Sequence, residues 1–233
     1  MLKYPCLVLD HDDTVVQSMK TLSYPFFCYI LQQFRPGCTM TQESFIQDCH
    51  ELGFADLCRL RFNFTDAELH NEHNQWMNYI RSHTPAPYPG IDRILTRQKE
   101  AGGILCVVSH SSRENILRDY SAHFSVTPDA IYGWELPEEQ RKPNPYPLQN
   151  IMERYGFSPE ELLVVDDMKL SWKMAQPFGI KTAYAAWGEM GVPELEKEMT
   201  GLCDFRFDST KDLEKFLFGT LDKYGIIPNE SRG

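Results

Sequence analysis

A short apolar run, Cys6-Leu7-Val8-Leu9, stops abruptly at Asp10-His11-Asp12-Asp13-Thr14, three carboxylates within four residues. A run this short, bounded by polar residues, suits a strand buried on both faces. The acids then stand at its carboxyl end, where open parallel sheets have their ligand crevice. Carboxylates this close repel one another, and their charged state calls for a nearby cation. A metal site is therefore expected here, completed by other segments of the chain.

The chain has 233 residues, room for one large domain or a core domain with an insert. Its net charge of −10 argues against a broad nucleic-acid or anionic-membrane surface. It does not argue against a small anionic substrate, because a local metal and a lysine override the global sign. None of the seven cysteines forms a CxxC pair, so they are expected as reduced thiols. With no signal-peptide pattern and no apolar run long enough to span a bilayer, a cytoplasmic protein is expected.

From Met19 to His83 the pattern is helical. Leu22, Phe26, Tyr29, Ile30 and Phe34 recur at helical spacing, and Arg35-Pro36-Gly37 ends that helix. Thr41 is a candidate cap for a second helix, with Ser44 where a capping-box Glu would ideally stand and Gly53 as its stop. Thr65 and Glu68 form a capping-box pattern for a third, with Leu69, Trp76, Tyr79 and Ile80 on its apolar face. The aromatic stripe near Phe26 and Phe27 reads as the core of this bundle. Residues 17–85 are thus expected as a helical cap domain inserted into a core of residues 1–16 and 86–233, with the proline-rich segment 84–90 as the return.

After Gly90, helices and strands alternate. Helices are expected over Ile91 to Ala101, Arg113 to about His123, Pro143 to Tyr155, Lys169 to about Phe178, and Lys211 to Tyr224 with Ser209 as cap. Strands are expected over Ile104 to Val108, Ala130 to Tyr132, Leu162 to Val165, Ile180 to Ala186 and Asp204 to Phe207. The tail after Pro228 reads as frayed. This alternation implies a mostly parallel α/β sheet with right-handed crossovers. Three of the strands end in functional groups: Asp10 and Asp12, then Ser109, then Asp166 and Asp167. Lys142 lies between the last two.

Those segments resemble the motifs of the haloacid dehalogenase superfamily of hydrolases, in the subfamily with a helical cap after the first strand. Asp10-His11-Asp12-Asp13-Thr14 is similar to DxDx[TV]. Val107-Val108-Ser109 is similar to the second motif, Lys142-Pro143-Asn144-Pro145 to a KPxP third motif, and Val164-Val165-Asp166-Asp167 to the acidic fourth. Tyr88-Pro89-Gly90 matches a turn common where the cap rejoins the core. Each motif alone is weak; four in order, from about Cys6 to Ala185, are strong.

The resemblance implies a Rossmann-like parallel sheet with an inserted α-helical cap, and a Mg²⁺-dependent phosphatase acting on a small phosphorylated metabolite. It implies Asp10 as the nucleophile that forms an aspartyl-phosphate and Asp12 as general acid and base. Ser109 and Lys142 would bind the phosphate, with His110 a further candidate contact. Mg²⁺ would lie among Asp10, the Asp12 main-chain carbonyl, Asp166 and Asp167. A monomer or weak homo-oligomer is expected, with no nucleic-acid or membrane partner. A sugar-phosphate mutase of the β-phosphoglucomutase type is the nearest alternative, and a phospho-acceptor signalling domain a more distant one.

The chain departs from the pattern at three places. Asp13 stands where glycine is usual; it either adds a negative charge beside the site or, the favoured reading, is a turn residue pointing away. Ser171 stands near a position often occupied by another Asp. His110 stands where Asn is common, and donation to local backbone is an equal reading of it. His11 reads as structural, Arg113 as a helix-face residue, and Arg59 and Arg61 as solvated. Lys20 is the insert's one lysine, and nothing in the sequence around it points to chemistry.

Overall fold

The computed structural model describes residues 2–188 and 191–219. Six parallel strands form one sheet in the order β3-β2-β1-β4-β5-β6. These are β1 (Cys6–Leu9), β2 (Ile104–Val108), β3 (Ala130–Tyr132), β4 (Leu162–Asp166), β5 (Lys181–Ala185) and β6 (Phe205–Phe207). Helices α1 (Tyr24–Phe34), α2 (Gln42–Leu52), α3 (Phe54–Phe62) and α4 (Asp66–Arg81) all lie between β1 and β2. They are followed by α5 (Ile91–Glu100), α6 (Arg113–His123), α7 (Tyr146–Tyr155), α8 (Lys169–Ala175), α9 (Pro193–Leu202) and α10 (Thr210–Phe218). None of the described helices is long and apolar enough to cross a membrane.

Each central strand is buried on both faces because successive side chains point to opposite sides. Leu7 and Leu9, with Leu105, Val107, Leu163 and Val165, pack on α5, α6 and α10. Cys6 and Val8, with Cys106, Val108 and Val164, pack on α7 and α8. The cysteines here are small hydrophobes, as expected. Leu9 pairs with Val107 on one side and with Val165 on the other. The chain therefore leaves β1 in opposite directions at one sheet edge, and Asp10 and Asp166 stand on either side of that switch point.

The inserted helices have their own core of Phe26, Phe27, Ile30, Leu31, Phe45, Leu57, Cys58 and Phe64. Phe27 stacks on Phe45 with ring centroids 4.5 Å apart. The segments entering and leaving the insert run side by side: Val16 bridges Pro87, and Gln17 N donates to the Ala86 carbonyl at 2.9 Å. Thr41 caps α2 through the Ser44 amide, and Thr65 and Glu68 form the expected capping box on α4.

Two helices have no counterpart in the sequence reading. In α3, Gly53 at φ 81° both ends α2 and starts the next helix, so the two run together without a loop. The other, α9, begins at Pro193 and buries only Leu195 and Met199, too sparse a stripe to give a periodic signal. Helix α7 starts at Tyr146 rather than Pro143, because Pro143-Asn144-Pro145 forms a loop containing a cis Lys142-Pro143 bond. Helix α8 tightens into a 3₁₀ turn at Gln176–Phe178, where Pro177 offers no amide donor. The last helix is described to Phe218; its expected end at Tyr224 and the tail after Pro228 lie outside the described residues.

Candidate active site

The Asp10 amide donates to the Val165 carbonyl at 2.9 Å, which carries the β1–β4 ladder one residue past the strand and anchors the Asp10 backbone. Its carboxylate accepts from Lys142 Nζ at 2.6 Å. The same ammonium donates to Asp166 Oδ2 at 2.8 Å. Lys142 comes from the loop before α7, and the His110 Nε2–H holds that loop by donating to the Lys142 carbonyl at 2.8 Å. His110 therefore supports the lysine's backbone, the alternative its sequence context left open. Burial and the nearby Lys142 charge lower its pKa, so the ring is held neutral.

Asp166 is held on both oxygens. Oδ1 accepts from the Met168 amide at 2.6 Å, and Oδ2 accepts from Lys142 and from the Ser171 hydroxyl. Ser171, which stands near a position often held by an acid, thus orients one. Asp167 is less engaged: Oδ1 accepts from the Thr14 hydroxyl at 3.5 Å. Carboxylate oxygens of Asp10, Asp166 and Asp167 lie within 4.8 Å of one another, all three residues buried. Lys142 is the one buried lysine or arginine among the described residues.

With all three carboxylates ionised, one ammonium would leave net negative charge in a poorly solvated site, and that cost raises the pKa values of Asp10 and Asp167. Burial is the largest cause, and it pushes Asp10 up to about 7 even with Lys142 beside it. Burial and the Asp166 and Asp10 charges push Asp167 well above the usual carboxylate range. Lys142 is raised by Asp10 and Asp166 against its own desolvation and stays charged. A cluster of hard oxygen donors with excess negative charge matches what a divalent cation such as Mg²⁺ requires.

Asp12 turns elsewhere. Its Oδ2 accepts from the Ser111 hydroxyl at 2.5 Å, so its side chain is not part of the acidic cluster. Ser109 is buried at the end of β2, and its Oγ accepts from the Ser111 amide at 3.1 Å. Neither Ser111 nor Ser171 is singled out by the sequence for these contacts. Ser111 was visible only as a member of a Ser-His-Ser-Ser run after a strand.

Asp13 corrects the expectation of a residue turned away. Its φ of 55° is the left-handed turn conformation, as read, but the carboxyl is buried. It accepts from the Met19 amide at 3.0 and 3.1 Å and from the Ser18 hydroxyl at 3.4 Å. It thereby caps the π-helical turn Met19–Ser23 that leads into α1. Burial and the Asp12 charge push it up to about 8. His11 is structural, as expected: buried, bonded to Asp119 at 3.0 Å and stacked on Tyr120. Arg59 pairs with Asp56 and Asp66, and Arg61 with Asp48, all on the insert. Two cavities flank the acids. One of about 190 Å³ includes Asp12, Ser111 and Arg118; the other, about 290 Å³, includes Asp13, Asp167 and Lys20.

The model of the family described as haloacid dehalogenase-like hydrolase matches residues 7–185, from the first strand to the end of β5. The chain belongs to this family. The four acids Asp10, Asp12, Asp166 and Asp167 all fall within the matched span. Among curated members, a phosphoglycolate phosphatase of Aquifex aeolicus (strain VF5) is 32% identical over 137 residues, 56% of this chain and 59% of the relative. The chain thus spans under two thirds of that relative's length. The fold is shared with a predicted phosphoglycolate phosphatase of Haemophilus somnus 129pt, at TM-score 0.68 and 19% identity over 93% of this chain and 99% of that one. It is also shared with CbbY of Rhodobacter sphaeroides in complex with phosphate, at TM-score 0.65 and 18% identity over 91% and 96%.

Proposed function

We propose that this hydrolase is a phosphatase that cleaves a small phosphate monoester in two steps through an aspartyl-phosphate. One observation carries the reading: Lys142 bridges Asp10 and Asp166 at 2.6 and 2.8 Å beside a third buried acid. That arrangement fixes one oxygen of Asp10 and leaves the other for in-line attack on phosphorus. Lys142 then offsets charge on the equatorial phosphoryl oxygens. Ser109 keeps its own hydroxyl hydrogen to donate to the same group. As the ester P–O bond breaks, Asp12 gives its proton to the departing oxygen, with Ser111 holding the other carboxyl oxygen. In the second step Asp12 takes a proton from the water that attacks phosphorus, and Asp10 is released. Helices α1–α4 act as a cap that limits bulk water over the acids.

Asp10, Asp167 and the Asp12 main-chain carbonyl, with Asp166 behind them, would hold Mg²⁺. When bound, the ion neutralises charge on the transferring phosphoryl group. The division between the last two acids follows from hydrogen bonding, since Asp166 is already held on both oxygens and Asp167 is not. The phosphatase name of the Aquifex aeolicus relative supports the reaction class.

Inorganic phosphate should be released from acetyl phosphate and p-nitrophenyl phosphate in the presence of Mg²⁺, and EDTA should stop it. Release that persists unchanged in EDTA rules out the metal, and isomerised sugar phosphate in place of free phosphate rules in a mutase.

The raised carboxyl pKa values carry a stability consequence. In the unfolded chain these groups ionise near about 4. In the folded protein Asp10 and Glu72 hold protons to about 7 and Asp13 to about 8. The folded state therefore binds more protons between these limits, and stability falls as pH rises through them. A cation among the acids opposes that loss. The Mg²⁺-induced gain in Tm should thus be larger at pH 8 than at pH 5, by roughly 5 °C, read by scanning calorimetry. An equal gain at both pH values would remove the acids from the binding site.

A further inference from the structure

Of the two cavities beside the acids, only the one of about 190 Å³ includes Asp12 and its partner Ser111. The acid that protonates a leaving oxygen must face it, so on the phosphatase reading this cavity receives the alcohol half of the substrate. We propose that it accepts an uncharged alcohol with a flat apolar face, an aryl group above all, and discriminates against an alcohol that carries a second acidic group.

Three observations carry this. The insert and the rim contribute an apolar wall of Leu22, Trp76, Met77, Ile80, Pro85 and Trp134. Trp134 is 48% exposed, with the Arg141 guanidinium over its ring at 4.0 Å and His110 at its edge. Isolated exposed apolar residues are ordinary, but this one continues a wall made by three other apolar side chains from α4.

The second observation is charge. Arg118 is the one lysine or arginine lining the cavity, and it is spent. Its Nε and a terminal nitrogen lie 2.8 and 2.7 Å from Asp119, and another terminal nitrogen donates to the Ile80 carbonyl. His110 faces the cavity neutral, with Nε2 donating to the Lys142 carbonyl. His73 stands at the exposed edge. A carboxylate or second phosphate on the alcohol would face Asp12 across this wall with no unpaired guanidinium or ammonium among the residues that line it; Arg141, outside the lining, is stacked over Trp134 and donates to the Leu136 carbonyl. Burying an anion without a partner is strongly unfavourable.

The third is size. An apolar cavity of about 150 Å³ accommodates benzene, whereas sites for drug-sized molecules begin at about 300 Å³. The volume here suits one ring and is too small for a nucleoside. An unpaired cation does exist nearby, but Lys20 lines the other cavity, with Asp13 and Asp167.

The test compares kcat/KM for phenyl phosphate, 2-phosphoglycolate, ribose 5-phosphate and acetyl phosphate in the full chain with Mg²⁺. Phenyl phosphate should exceed 2-phosphoglycolate by at least about tenfold, the range that a matched apolar pocket supplies. Trp134→Ala should lower kcat/KM for phenyl phosphate about tenfold, mainly through KM, and Trp134→Phe should recover most of it. Trp134 is exposed enough for both variants to fold. Preference for 2-phosphoglycolate, abolished by Lys20→Met, would overturn the proposal and move the alcohol to the second cavity. Cleavage of acetyl phosphate with phenyl phosphate no better than 2-phosphoglycolate would also overturn it while leaving the phosphatase reading intact. No phosphate from any of the four compounds would overturn both.

Discussion

Asp10→Asn is expected to reduce phosphate release from any ester by at least about 10³-fold, the scale seen when a nucleophile is removed from a constellation that acts as a unit. The same variant should not lose stability in the absence of metal. Asn is isosteric with Asp and keeps an oxygen to accept from Lys142. It also removes one of three carboxylates whose oxygens lie within 4.8 Å of one another in a buried site. Burial raises the Asp10 pKa to about 7, so at pH 8 its ionised form is a cost to the folded state. Loss of activity together with an unchanged or higher Tm at pH 8, and a smaller Mg²⁺-induced gain, is the signature of a nucleophilic carboxylate. Activity and Tm falling together would identify Asp10 as a structural residue, and retained turnover would end its assignment as nucleophile.

The opposite signature is expected of Lys142→Met. Here the removed group is the cation, and Asp10 and Asp166 lose partners at 2.6 and 2.8 Å. Breaking a buried ion pair from one side costs about 3–5 kcal/mol, because the remaining charge is left uncompensated. In a chain of this size that is roughly a 10 °C fall in Tm at pH 8 without metal. The fall should shrink at pH 5, where Asp10, pushed up to about 7, is protonated and needs no cation. Turnover should fall as well, by about 10²-fold or more, since the phosphoryl oxygens lose a charge-assisted donor. Thermal melts of the variant at the two pH values, with and without Mg²⁺, read both effects. A Tm loss independent of pH would mean that the lysine's packing, not its charge, supports the site.

The two variants bracket the same balance from either side. Too few positive charges stand among the acids for the site to be at rest near neutral pH, and the imbalance is what a cation and a phosphoryl group would relieve. Asp13 adds to it from the side, buried and pushed up to about 8. Its position between the acidic cluster and the Met19–Ser23 turn links the site to the start of the inserted helices.

Much of this was legible in the residues themselves. Continuous apolar runs such as Leu162 to Val165 marked strands buried on both faces, because only a sheet covered by helices on both sides buries every side chain of a strand. The Thr65–Glu68 capping box located the start of α4, because its contacts span three residues. The convergence of Asp10, Asp166 and Asp167 followed from their order at strand ends, since parallel strands bring all carboxyl ends to one edge, and Lys142, in a loop, was placed with them by its motif. The bonds within that convergence were not legible. Ser111 holds Asp12 across 99 positions of sequence, and His110 holds the Lys142 backbone across 32.

The residues alone determined that acids and hydroxyl would meet at a sheet edge, because hydrophobic periodicity and strand polarity are local properties that every plausible packing preserves; the lysine joined them through its motif. Tertiary structure alone decided which acid faces which cavity and which charges are already paired. Asp12 and Asp13 are neighbours in the chain, yet one turns to Ser111 and the other to Met19. Arg118 is spent on Asp119 while Lys20 lines the other cavity, the one that Asp167 also lines. Those outcomes depend on distances between elements far apart in sequence, and electrostatic and hydrogen-bond energies change over a few ångströms that no pattern along the chain encodes.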